Sequence, residues 1–134
     1  MIDNRTKLSI LHDDNGSFVD HTNNAADYSR DDFSVEMIAA EDKLYIGFEK
    51  PINACYVELT TANINPNEFT AEVFNGTSWV STDLTDETQG FTRSGFMFWS
   101  RSVMNKTAVD STTKYWIRLT ASADHSATEI RGNN

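Results

Sequence analysis

Apolar and polar residues trade places at every second position along most of this chain. Phe33, Val35 and Met37 alternate with Ser34 and Glu36; Leu44, Ile46 and Phe48 with Tyr45 and Gly47. Cys55, Val57 and Leu59 alternate with Tyr56, Glu58 and Thr60, and Phe69, Ala71 and Val73 with Thr70, Glu72 and Phe74. A period of two is that of a strand with one face buried. No window repeats apolar residues at i, i+3, i+4 and i+7 over three turns, so helix is expected to be scarce. Shorter runs around Leu8 and Ile10, at Phe18-Val19 and Trp79-Val80, and over 96–99 and 115–120 complete the predicted strands.

Turn chemistry separates them. Asn75-Gly76 predicts a type I′ hairpin, which needs two left-handed residues in succession. Asp13-Asp14-Asn15-Gly16 is a second, weaker hairpin signal, and Ala40-Glu41-Asp42-Lys43 is the expected turn between 33–37 and 44–48. Pro51 closes the strand over 44–48, because it has no donor for a ladder. Residues 22–32, 63–67, 83–90 and 105–113 read as loops, and 123–134 as a polar tail that frays. Eight or nine short strands without a helical crossover predict an all-β chain. The expected form is a single antiparallel β-sandwich of jelly-roll type over 1–122.

Composition narrows the classes of partner. At 134 residues with 39% hydrophobic and 23% charged, the chain has the length of one domain and enough apolar surface to fold. Twenty acidic against 11 basic residues, a net charge of -9, repel a phosphate backbone, so no nucleic-acid partner is expected. There is no apolar run of about 18 residues and no apolar stretch in 1–7, which predicts no membrane span and no export by a standard signal. Cys55, the only cysteine, excludes an internal disulfide and a thiolate zinc cluster and is expected to be buried and inert. Asn-x-Ser/Thr triplets beginning at Asn4, Asn15, Asn75 and Asn105 are read as turn chemistry.

Reaction chemistry is not visible. There is no Gly-x-Ser-x-Gly elbow, and Cys55 sits mid-strand on an apolar face. His12, His21 and His125 lack ligand spacing and read as solvated surface imidazoles. Asp13-Asp14-Asn15-Gly16 and Asp83 with Asp86-Glu87 offer oxygens to calcium, but neither reproduces a twelve-residue calcium loop. The expectation is no enzyme, no catalytic residue, no metal and no cofactor.

Surface aromatics are the remaining signal. If Phe96 and Phe98 face the core, Met97 and Trp99 project outward, and the same alternation puts Trp116, Tyr45 and Tyr56 opposite their core-facing neighbours. These five residues are the predicted interface. Two rival readings are a face hidden by a register shift or by the N-terminal strands, and a platform for stacking sugars. Arg93 and Arg118 are read as structural ion-pair partners.

Taken in order, Leu44-Tyr45-Ile46-Gly47-Phe48, Pro51, the strand over 55–59, Phe74-Asn75-Gly76-Thr77-Ser78-Trp79, Gly90-Phe91-Thr92-Arg93-Ser94-Gly95 and Tyr115-Trp116-Ile117-Arg118-Leu119 resemble one arrangement. It is similar to the discoidin-like or jelly-roll β-sandwich modules of tailed-phage tail, baseplate and head-decoration proteins, over roughly residues 33–122. Such modules often carry Pro and Trp where this chain has Ser102-Val103-Met104. The resemblance implies a virion structural protein, made in the host cytoplasm and docked on capsid or tail subunits in many symmetric copies. Its alternative implication is a carbohydrate-binding module that contacts a host-surface glycan.

Overall fold

The computed structural model describes residues 8–22 and 32–131. Thirteen strands lie among them: β1 (Ser9–Asp14), β2 (Ser17–Asp20), β3 (Phe33–Ser34), β4 (Lys43–Phe48), β5 (Ala54–Val57), β6 (Leu59–Thr61) and β7 (Phe69–Phe74) come first. β8 (Trp79–Thr82), β9 (Leu84–Asp86), β10 (Gly95–Trp99), β11 (Lys106–Val109), β12 (Thr112–Ala121) and β13 (Glu129–Ile130) follow. The large sheet runs β2-β1-β4-β12-β7-β8, with β11 also on β12; two smaller sheets run β5-β10-β9 and β3-β13-β6. Every pairing is antiparallel. The fold is all-β and sandwich-like, as the period of two predicts.

Register explains the core. Ile10, Ile46, Ile117, Val73 and Val80 are successive cross-strand partners over five strands of the large sheet. They lie on its inner face together with Leu44, Leu119 and Ala71. Met97 and Trp99 of β10, Val57 of β5, Phe33 of β3, and Val35 and Met37 just beyond it close over that face. A second, smaller cluster of Leu11, Tyr45, Val109 and Trp116 occupies the opposite face of the large sheet.

Several expected loops carry strands. β9 lies within 83–90 and β11 within 105–113. The hairpin expected between 33–37 and 44–48 does not form, because β3 pairs with β13 instead. Beyond β3 the two segments stay linked, with Val35 N–H donating to Thr128 O at 2.9 Å and His125 N–H to Met37 O at 2.8 Å. Residues 123–131 are therefore not the fraying tail their polarity predicts. Several of their polar groups are bonded internally: Thr128 Oγ1 donates to Ser126 O, and Asn63 Oδ1 accepts from Ser126 N. Burying a polar group costs little once it is bonded, so Thr128 can sit inside; His125 is held through Nε2 to Asn67 Oδ1, while its Nδ1 is buried without a hydrogen-bond partner among the described residues. Most of the loop expected over 22–32, the end of the tail at 132–134, and residues 1–7 lie outside the described residues.

Both Asn-Gly pairs make turns, of different kinds. Asn15 and Gly16 take φ of 50° and 96°, the two left-handed positions of a two-residue hairpin closed by the pair Asp14 and Ser17. At Asn75-Gly76 only the glycine is left-handed, at 102°. Here Asn75 Oδ1 accepts from Thr77 N and Ser78 N, each at 2.9 Å, and Asn75 N–H donates to Ser78 O. The side-chain oxygen supplies an Asx turn, so the loop spans 75–78 and replaces the expected type I′ turn.

Candidate functional site

The strand β10 projects its aromatics in the opposite sense to the one expected. Met97 and Trp99 are buried at 0% and 6% exposure, whereas Phe96 and Phe98 stand out at 43% and 40%. Pairing sets this phase: Phe96 lies across from Tyr56 and Met97 across from Cys55. Cross-strand partners share a face, and the alternation in β5 already sends Tyr56 outward and Cys55 inward. Tyr56 is 56% exposed. It is the one member of the predicted interface that lies open.

Tyr56, Phe96 and Phe98 form a continuous row. The rings of Tyr56 and Phe96 meet edge to face at 4.8 Å, and those of Phe96 and Phe98 stack at 5.7 Å with 19° between their planes. The row is mounted on regular structure, since β10 is flanked by β5 and β9 and its inward side chains are fixed in the core. Glu87 also grips the strand, its N–H donating to Phe96 O and its carboxylate accepting from Phe96 N. Thr85, Glu87, Glu58 and Arg93 are exposed nearby along the strands and their connections, and Arg93 Nε donates to Glu87 O at 2.8 Å. The result is an apolar strip with polar edges, held in a fixed shape.

Tyr45 and Trp116 do lie opposite Leu44, Ile46, Ile117 and Leu119, but they are covered at 7% and 0% exposure. Trp116 fits over Gly47, where a Cβ would come within 2.6 Å of its ring, and its Nε1–H donates to Thr107 O and Thr112 O. Tyr45 is enclosed by Trp116, Trp79 and Phe18. Arg118 lies 4.2 Å over the Trp79 ring and donates to Glu72 Oε1 at 2.8 Å, the structural pairing expected of it. The N-terminal hairpin and β11 thus make this face a second core.

No family model, curated protein or solved structure matches this sequence.

The histidines are not the solvated imidazoles expected. His12 Nε2 lies 3.0 Å from Asp42 Oδ2, with both residues buried, and Asp42 also accepts from Ile38 N and Asn15 N. His21 is half-buried and stacks on Phe33; burial, helped by His12 and opposed by Asp20, lowers its pKa. His125 Nε2 bonds to Asn67 Oδ1 at 2.9 Å, and burial lowers its pKa to about 4 against the opposing pull of Asp124 and Asp86. Burial likewise pushes the Cys55 thiol up to about 12.

An open cleft of about 650 Å³ lies between the loop at 64–69 and the turn at 86–92, lined among others by Asn67, Asp86, Gln89 and the exposed Ile64. Gln89 and Gly90 of its wall, with Phe91 behind them, are three consecutive left-handed residues at φ of 50°, 71° and 63°. Asp86 holds that turn by accepting from Thr88 N and Gly90 N, while Phe91 is anchored in the core against Phe69. Among the described residues no group of three or more His, Cys, Asp or Glu side chains is placed to hold a metal ion.

Proposed function

We propose that this chain is a non-enzymatic structural protein of a tailed-phage virion, docked on neighbouring capsid or tail subunits through Tyr56, Phe96 and Phe98. The observation that supports docking is the aromatic row itself: three interlocked, exposed rings on a strand whose other face is fixed in the core. Side chains already held in place lose little freedom on contact, which favours binding. The virion setting rests on the resemblance of the sequence between residues 33 and 122.

Size favours many copies over a single tight complex. Rings that bury roughly 150–250 Å² each when covered leave, half-exposed, on the order of 300 Å² for contact. A long-lived one-to-one interface takes about 800 Å² per partner. On a symmetric array, repeated weak contacts add up to firm attachment. The net charge of -9 directs the row toward a neutral or basic surface.

A second reading, a module for host glycans, is favoured by the cleft beside Ile64, whose amide and carboxylate lining suits hydroxyl groups. Mass spectrometry of purified particles from the phage that encodes this protein separates the two. The docking reading expects it there in many copies and expects the isolated domain to leave a glycan array blank. Absence from particles, with specific sugar binding on the array, would contradict it.

A further inference from the structure

We propose that Asn15-Gly16 is a self-modification site. The Asn15 amide is lost as ammonia through attack by its own backbone, whereas the identical dipeptide at Asn75-Gly76 is protected. In the first step the Gly16 backbone nitrogen bonds to Asn15 Cγ and gives up its proton. The bond from Cγ to the amide nitrogen Nδ2 breaks, and Nδ2 leaves as ammonia with the bonding pair and an added proton. A five-membered succinimide remains, and water opens it at either carbonyl to aspartate or isoaspartate. The balance is one water consumed and one ammonia released, with no oxidant or reductant. Glycine suits the second position because no Cβ crowds its nitrogen.

Three observations single out Asn15. Its residue is exposed, and its side-chain amide has no hydrogen-bond partner among the described residues, so Cγ is free to swing toward the backbone. The Gly16 N–H already donates to Asp13 Oδ1 at 2.7 Å, which places a carboxylate on the proton that must depart. The turn also joins β1 to the sheet-edge strand β2, all four of whose residues are exposed. Such an edge opens locally at low cost, which the left-handed Asn15 backbone requires before it can rotate into position for attack.

Asn75 has none of this freedom. Its Oδ1 is held by two backbone N–H groups, Thr77 and Ser78, whereas the backbone N–H is bonded at both sites, to Ser78 O here and to Asp42 Oδ1 at Asn15. The Asn105 side chain lies over Gly76, 3.3 Å from where a Cβ would be. Both bonds to Oδ1 must break before Cγ can meet the Gly76 nitrogen.

Conversion at Asn15 carries a structural consequence. Isoaspartate inserts a backbone carbon into a two-residue turn and shifts Asn15 N–H, which donates to Asp42 Oδ1 at 3.1 Å. Either product adds a carboxylate beside Asp13 and Asp14, one charge beyond the present -9. The β1–β2 hairpin would loosen with age.

Peptide mapping with isoaspartate detection tests this. The full-length protein is incubated at mildly alkaline pH, once folded and once in concentrated guanidinium chloride. In denaturant both sites should convert at similar rates; in the folded protein Asn15 should convert faster than Asn75 by at least about tenfold. Equal rates in the folded protein, faster conversion of Asn75, or a folded Asn15 that stays intact while the denatured one converts would each overturn the proposal.

Discussion

Gly47 serves as the floor on which Trp116 rests, and that single missing side chain decides how the second core closes. Gly47→Ala would drive a methyl into the indole at 2.6 Å, and overpacking of this kind costs about 1–3 kcal/mol. A lowered urea midpoint with unchanged slope is the expected readout. Cys55 gives a second prediction at the same scale. With its thiol held up near 12 by burial, it has almost no thiolate at pH 8. Alkylating reagents should therefore leave it untouched in the folded protein and modify it on unfolding. His125 gives a third. Its folded pKa, about 4, lies below the value of 6.5 it has when exposed, so the unfolded protein binds the extra proton first. Stability is full above about pH 6.5 and falls as pH drops toward 4; the lowered pKa of His21 acts in the same sense. Urea midpoints at pH 7 and pH 4.5 should differ, and His125→Gln should narrow the difference. At this scale the sequence is least legible at 96–99, where all four residues are apolar and alternation offers no phase. The missing clue is the strand's partner: once Phe96 is set against Tyr56, its direction follows.

Strands are where pattern reading succeeds. The alternations over 44–48, 55–59 and 69–74 correspond to β4, β5 with the start of β6, and β7; the buried parity is as expected in β5 and β7, whereas β4 is covered on both faces, Tyr45 included. The signal fails where a strand is short and polar. β9, β11 and β13 hold two to four residues each and are fixed by their neighbours rather than by their own hydrophobicity. Pairing between distant segments is invisible to local pattern for the same reason, which is why alternation alone joins 33–37 to 44–48 instead of to 125–130. The distant pairing has a measurable consequence. A protein ending at residue 122 would uncover Val35 and Met37, each worth roughly 1.5–3 kcal/mol of burial. Its unfolding midpoint should drop steeply or its fold be lost, where removal of a true tail would leave the midpoint unchanged. The Asn-Gly turns show a related ambiguity: one dipeptide supports either two left-handed residues or an Asx loop, and the length between the flanking strands decides which.

On the scale of the whole molecule, the two faces of the large sheet are both closed, one by the smaller sheets and one by the hairpin and β11 around Trp116. That closure removes Met97, Trp99, Trp116 and Tyr45 from any contact surface and leaves the outer face of β5 and β10 as the aromatic one. Under the proposed docking role, β10 separates stability from adhesion: Met97 and Trp99 sit in the core, and Phe96 and Phe98 stand on the outer side. The most direct test is to compare Phe96→Thr/Phe98→Thr with the unaltered protein, since threonine keeps strand preference while removing the rings. Both proteins are measured for urea midpoint and for incorporation into particles. The account predicts a midpoint within about 1 kcal/mol of the original and incorporation reduced by about tenfold or more. Full incorporation of the altered protein, or its unfolding, would contradict it.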